Sequence, residues 1–360
     1  MSVVGSNKRK RVLLGMSGGV DSSVAAIILK ENGFDVIGVT LKLVDDEVEG
    51  TCCNLSSTLD AKRVCDFLDI PHYTLNFVDE FKKHVIDNFI CEYSKCRTPN
   101  PCIECNKFLK FGSMYKLALE LGCDFIATGH YARVIFDEKY DGKVLKRAYT
   151  SGKDQSYVLY NMPKELLNKV LFPLGDFENK SEVRKIAADY NLPVACKPDS
   201  EDICFIPDGD YKGFLEREAG FKSLVGNIVD KNGNVLGLHS GLYKYTIGQR
   251  KGIGVSSKTP LYVIGLDVLK NELIVGEEND LLTDAFEVDE INLLLDVSSN
   301  IKCKVKTRYS SPLYDANVSF YGDKANVIFD IPQKRITPGQ SAVFYDGDII
   351  IGGGKIVRKL

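Results

Sequence analysis

A short β-prone run, Arg11-Val12-Leu13-Leu14, ends at Gly15 and gives way to Ser17-Gly18-Gly19-Val20-Asp21-Ser22-Ser23. Beyond it Val24, Ile27 and Ile28 recur at helical spacing until Asn32-Gly33. A strand that meets a helix through two adjacent glycines constrains the fold strongly. Residues without Cβ let backbone amides approach an anion and adopt positive φ. The helix that follows aims its first N–H groups at the same point, and Ser17, Ser22 and Ser23 add hydroxyl donors. The segment Ser17-Gly18-Gly19-Val20-Asp21-Ser22-Ser23 therefore reads as a phosphate cradle. It lacks the lysine of the G-x-x-x-x-G-K-[ST] loop and the third glycine of the dinucleotide fingerprint. Asp21 is out of place beside an anion unless a divalent cation accompanies it, which points to Mg²⁺ with a pyrophosphate.

The rest of the first half repeats the strand–helix alternation. Asp35 to Leu41, His72 to Leu75 and Phe125 to Thr128 read as strands; Thr58 to Leu68, Phe81 to Tyr93 and Phe108 to Leu121 read as helices. This pattern predicts an α/β fold, a doubly wound parallel sheet of Rossmann-like type, with ligands at the carboxyl ends of the strands. After about residue 205 glycine pairs and short β-rich runs take over, including Leu261 to Gly265, Asn326 to Phe329, Ala342 to Tyr345 and Ile349 to Ile351. The expected division is a catalytic domain over 1–205, a small central domain over 206–282 and a β-barrel-like domain over 283–360. With 44% hydrophobic and 26% charged residues among 360, the chain is neither disordered nor collagenous. No apolar run reaches the ~18 residues of a membrane span. The basic start is too quickly glycine-rich for a secretory signal, so a cytoplasmic protein is expected.

Eleven cysteines, an odd number in a long chain, argue against a disulfide framework. Thr98-Pro99-Asn100-Pro101-Cys102-Ile103-Glu104-Cys105-Asn106-Lys107 reads as a rigid basic loop ahead of a helix. Cys105, before the helix start and beside lysine, is expected to be a lowered-pKa thiol. Cys204 stands in an acidic-then-apolar run, Asp199 to Pro207. Cys52, Cys53, Cys96, Cys123, Cys196 and Cys303 have no comparable setting, and Cys65 and Cys91 sit at helical spacings that suit core packing. Residues 301–360 hold ten Lys and Arg against five Asp and Glu, a basic bias in a chain of net charge −3. Within it Lys302, Lys304 and Lys306 alternate, as on one face of a strand, either for phosphate contact or to guard a sheet edge.

The glycine loop resembles that of the PP-loop ATP pyrophosphatases, which cleave ATP between its α and β phosphates. Together with Thr98–Asn106, TGHYA at Thr128–Ala132, SGKDQSY at Ser151–Tyr157 and DSEDICFI at Asp199–Ile206, it resembles the tRNA-specific 2-thiouridylase family over essentially the whole chain. The resemblance implies that ATP binds the Gly15–Ser22 loop with help from Leu41 and Gly129. Uridine 34 of a tRNA would be adenylated on its C2 oxygen with release of pyrophosphate. Cys204 would carry a persulfide, and Cys105 would be the nucleophile that frees its sulfur, leaving a transient Cys105–Cys204 disulfide as AMP departs. Asn100, Pro101 and Cys102 would meet the target base. His130, Lys153, Asp154, Gln155, Arg308, Tyr309 and Gln340 would contact tRNA, and an upstream persulfide protein would donate sulfur. Some members of the family carry Asp where this chain has Cys102. The Cys102-x-x-Cys105 pair with Cys204 leaves an iron–sulfur cluster open as a second reading. Two rivals stand outside thiolation: an ATP pyrophosphatase that transfers nitrogen, and a nucleotide-gated RNA-binding protein without turnover.

Overall fold

The computed structural model describes residues 9–44, 55–150, 152–198 and 203–360. Cys52, Cys53, Ser151 and the Asp199, Ser200, Glu201, Asp202 run singled out above lie outside them. The chain divides into two compact units, one of residues 1–84, 102–208 and 348–350, the other of 85–101, 209–347 and 351–360.

The first unit opens with β1 (Arg11–Gly15), α1 (Val20–Glu31), β2 (Asp35–Lys42), α2 (Leu55–Phe67) and β3 (His72–Asn76). It continues through β4 (Phe125–Ala127), the hairpin β5 (Ala132–Asp137) and β6 (Gly142–Arg147), β7 (Val170–Leu171) and α3 (Lys180–Asp189). Five strands pair in the order β3-β2-β1-β4-β7, every neighbouring pair parallel. Chain order reverses between β1 and β4, which creates the crevice where open sheets of this kind take ligands. Val12, Leu13 and Leu14 are fully buried, as a strand covered on both faces requires. α1 is buried nearly all round: Val24, Ala25, Ala26 and Ile27 join one core with Val64, Cys65 and Val183. It ends as the sequence predicts, with Asn32 at the C-cap and Gly33 at φ +80°.

Between β3 and β4 lie two uninterrupted helices. Val78–Phe81, Lys82–Ile86 and Asp87–Ser94 form the first; Pro101–Glu104, Cys105–Ser113 and Met114–Glu120 form the second, and each has a π-helical middle. The expected open loop at Thr98–Lys107 is thus a helix from Pro101 onward. Pro101 takes the first helical position, where its missing N–H costs nothing and its fixed φ fits. Ile103, Glu104, Cys105 and Asn106 are buried, not held open to solvent.

The second unit contains α4 (Tyr211–Ala219), then β8 (Gly226–Val229), β9 (Val235–His239), β10 (Tyr262–Asp267) and β11 (Glu272–Gly276), paired in the order β10-β11-β8-β9. Ile228, Leu242, Ile253, Val263, Leu273 and Val275 form its core. β12 (Leu282–Leu293), β13 (Asn300–Lys306), β14 (Tyr314–Tyr321), β15 (Lys324–Lys334), β16 (Ser341–Asp346) and β17 (Ile349–Lys359) follow. They pair as β12-β15-β14-β13-β16-β17, and β12 closes onto β17 as an antiparallel barrel. Two of these strands run far beyond the short stretches expected. In β17 the glycines are strand positions and not turns: a Cβ on Gly352 would lie 2.3 Å from Asn292 O, and one on Gly354 2.5 Å from Asp289 O. The barrel closes there only because those residues have no side chain.

Candidate active site

A cavity of about 660 Å³ opens at the carboxyl ends of β1, β2 and β4. Gly15, Met16, Ser17, Gly19, Val20, Asp21 and Ser22 form one wall, Thr40, Leu41 and Leu43 another, and Thr128, Gly129, His130 and Tyr131 a third. Cys105 and Cys204 line it as well, together with Lys110, Lys153, Gln155, Lys180 and Lys197.

The glycine loop owes its path to local sterics. Gly18 sits at φ +70°, and a Cβ there would lie 2.1 Å from Ser57 O, so no other residue fits without moving α2. Gly19 is the N-cap of α1 in extended conformation, with no side chain to cap the helix. The first amides of α1 therefore stay available to a ligand. Gly129 lies against the same helix start; a Cβ there would be 2.9 Å from Ser22 N. The Ser17 amide donates to Ser22 Oγ (3.2 Å), and the Ser22 hydroxyl donates to Gly19 O (3.2 Å). Ser23 differs from expectation: it is fully buried and donates to Gly19 O at 2.8 Å, off the cavity. Gly18 does not line the cavity either, but its carbonyl accepts from Lys197 Nζ at 3.1 Å.

Among the described residues the lining carries four lysines and one carboxylate, Asp21. Asp21 is held by two residues that sequence reasoning missed: the Tyr131 hydroxyl donates to Oδ1 (2.8 Å) and Lys180 Nζ to Oδ2 (3.0 Å). Lys180 stands in the first turn of α3, whose Asn179 N-cap accepts from Glu182 N. The Asn-Lys-Ser-Glu run marks that helix start, but nothing in it indicates where the lysine reaches. Lys197 Nζ bridges Gly18 O and Asp60 Oδ2 (2.9 Å). A cavity of this charge suits a polyphosphate. One carboxylate also fits Mg²⁺, which is held largely by substrate phosphates and water.

His130 is buried in the wall. Burial, and next Lys110, push its pKa well below the ordinary histidine value, so the ring is neutral. Lys110 Nζ, a donor only, lies 3.5 Å from Nε2, which leaves the proton on Nδ1, 2.7 Å from Thr128 Oγ1. Gln155 Oε1 accepts from Tyr131 N at 2.9 Å. Asp154 is turned inward: its carboxylate receives Arg147 Nε (2.9 Å), Ala148 N and Ser156 N, and it does not line the cavity.

Cys105 does not precede its helix, as expected, but lies a full turn inside it, after Pro101 and Cys102. Cys102 is exposed and off the cavity. Among the described residues no group of three His, Cys, Asp or Glu side chains is gathered to hold a metal ion, so Cys102, Cys105 and Cys204 as arranged do not fit a cluster. Cys65 and Cys303 are buried thiols pushed up to about 12 by desolvation. Cys91, expected in the core, is exposed.

In the second unit Gln340 Nε2 donates to Thr98 O (2.8 Å) and Pro99 O (3.4 Å), and Thr98 N to Pro338 O (2.9 Å). Gln340 thus fixes the approach to Asn100 and Pro101. Arg308 donates through Nη2 to Ile247 O (3.0 Å) and to Thr337 Oγ1. Tyr309 is exposed, with Lys306 over its ring at 5.6 Å. β13 pairs on both sides, so its lysines guard no edge; Lys302 and Lys304 instead pair with Asp330 (2.9 Å) and Asp315 (3.0 Å).

The chain matches three family models: a tRNA methyl transferase HUP domain over residues 10–208, a tRNA methyl transferase PRC-barrel domain over 212–277 and an aminomethyltransferase beta-barrel domain over 283–356. It is 46% identical to the tRNA-specific 2-thiouridylase MnmA of Clostridioides difficile, over 98% of this chain and 99% of that one. It is 47% identical to the protein of the same name from Acetivibrio thermocellus, over 97% and 99%. A solved structure, the U34-tRNA thiolase NcsA from Methanococcus maripaludis with its 4Fe-4S cluster, is 19% identical with a TM-score of 0.35, over 58% of this chain and 66% of that one. That likeness is too slight to carry chemistry across. Near-half identity along almost the entire length, with three family models matched in succession, makes this chain a member of the tRNA-specific 2-thiouridylase (MnmA) family of the PP-loop superfamily.

Proposed function

We propose that this protein thiolates uridine 34 of tRNA at C2, using ATP. It is an enzyme of the tRNA sulfurtransferase kind. The observation that carries the reading is that Cys105 and Cys204, about a hundred residues apart in sequence, line the same cavity as the glycine loop. A phosphate cradle and a thiol pair in one crevice suit activation of an oxygen followed by its replacement with sulfur; methyl transfer has no use for the cradle. The loop amides and the lysines at 180 and 197 bind the triphosphate. The C2 oxygen of the uridine attacks the α-phosphorus, and pyrophosphate leaves. Mg²⁺ held near Asp21 supplies charge neutralisation when bound.

Sulfur then enters from a persulfide on Cys204, whose terminal sulfur attacks C2. The Cys105 thiolate attacks Cys204 Sγ, the sulfane S–S bond breaks with its electron pair going to the delivered sulfur, and AMP departs with the oxygen. The product is 2-thiouridine and a Cys105–Cys204 disulfide, which an external thiol must reduce. Neutral His130 donates through Nδ1 to Thr128 and fixes the wall between nucleotide and base. Lys153 and Gln155 on the cavity, and Arg308, Tyr309 and Gln340 in the second unit, are proposed tRNA contacts, with Asp154 positioning the segment before Gln155. Asn100, Pro101 and Cys102 are proposed neighbours of the target base. Functional units at 1–205, 206–282 and 283–360, a persulfide-bearing donor protein and a cytoplasmic setting belong to the same reading. Among the described residues no helix is long and apolar enough to cross a membrane.

The test is pyrophosphate release and thiouridine formation with unmodified tRNA. Cys105→Ser and Cys204→Ser should each abolish thiouridine while tRNA binding and tRNA-dependent pyrophosphate release persist. Normal thiolation by either variant refutes the assignment.

A further inference from the structure

From Thr246 to Leu261 the chain has no acidic residue and carries Arg250, Lys251 and Lys258. All three are exposed, and among the described residues none has a carboxylate partner. That is unlike the barrel's cations, where Lys302, Lys304, Lys324 and Lys355 each hold an acid within 3.1 Å. Arg250 and Lys258 line a cavity of about 380 Å³ with Gly252, Gly254, Ser257 and Thr259. Glu277, the carboxylate that reaches this loop, is engaged by Thr259 Oγ1 at 3.3 Å.

The loop is anchored. Ile253, 5% exposed, is part of the small domain's core, between Gly252 at φ +74° and Gly254 at φ +84°. Its root is tied to the barrel, because Arg308 donates to Ile247 O and the Arg335 stem packs on Gly248, where a Cβ would be 2.8 Å from Arg335 Cγ. A fixed backbone presenting unpaired cations spread over nine residues matches a series of phosphates better than one compact anion. Among the described residues no aromatic ring lines the cavity for a base to stack on.

We infer that the 250–258 loop is a phosphodiester-binding site that grips the tRNA backbone beside the Arg308–Tyr309 stretch. This rests on the tRNA reading above. Such contacts position the RNA and read no sequence.

The test is binding of an unmodified tRNA transcript to the full chain across a salt series. Arg250→Ala/Lys251→Ala/Lys258→Ala should flatten the slope of log affinity against log salt by about 2, at ~0.7–0.9 per phosphate contact. It should weaken binding roughly tenfold or more at about 0.15 M salt, leaving ATP affinity and turnover at saturating tRNA at parental values. Arg250→Lys/Lys251→Arg/Lys258→Arg should keep the parental slope. An unchanged slope and affinity in the alanine variant overturns the site, as does loss of ATP affinity in step with tRNA affinity. If the parent itself binds no tRNA, both this site and the function it rests on are overturned; if the parent binds and the alanine variant matches it, only the loop assignment falls.

Discussion

Gly18 is the residue on which the path of the proposed phosphate cradle turns. A methyl group there meets Ser57 O at 2.1 Å in a backbone that already has φ +70°. Gly18→Ala should cost about 1–3 kcal/mol of stability and remove ATP binding, measurable by denaturant titration and calorimetry. Gly129→Ala should push on the start of α1 and weaken ATP binding with a smaller stability loss. His130 makes a pH prediction. Its pKa falls on folding, so below the unfolded value of about 6.5 the unfolded chain binds the extra proton, and stability falls as pH drops towards the lowered folded value. His72, also lowered by burial, acts in the same direction. A His130→Gln variant should lose stability less steeply between about pH 6.5 and 5 than the parent; equal slopes would contradict the neutral, buried assignment. The cysteines sort by burial. Cys65 and Cys303 should resist alkylation under native conditions, while Cys91 and Cys196 react.

At the scale of elements, strand and helix positions in the first unit were readable because apolar period and glycine punctuation agree: Asn32-Gly33 and Gly122 end helices where expected. The two prolines of Thr98–Lys107 have the composition of a loop, but Pro101 opens a helix and only Thr98 to Asn100 stay outside it. The glycine loop and both thiols that line the cavity were legible as motifs. Tyr131, Lys180 and Lys197 were not, since a side chain's reach across a crevice is fixed by tertiary packing and leaves no periodic trace. Lys180 shows why. A cation in the first turn opposes the helix dipole, so local rules disfavour it, and its ion pair with Asp21 explains its place. Asn179→Ala should remove the cap that sets this turn, lowering stability by about 1 kcal/mol and weakening ATP binding several-fold, read by thermal denaturation and calorimetry. Normal ATP affinity in that variant would mean Lys180 is not held by its helix start.

For the whole molecule, the switch point of a parallel sheet supplies the crevice, and the second unit supplies surfaces that carry Arg308, Tyr309 and the basic loop. The barrel-like tail was legible in its short β-rich runs, but the full length of β17 was not, because its glycines have the composition of turns and the geometry of a strand. The proposed chemistry requires both thiols to act in one cycle at the nucleotide crevice. A single turnover without reductant, on unmodified tRNA with ATP and a persulfide-loaded enzyme, tests it most directly. Peptide mass spectrometry should find a Cys105–Cys204 disulfide in step with 2-thiouridine, one for one. Full thiouridine with both cysteines still reduced would contradict the account.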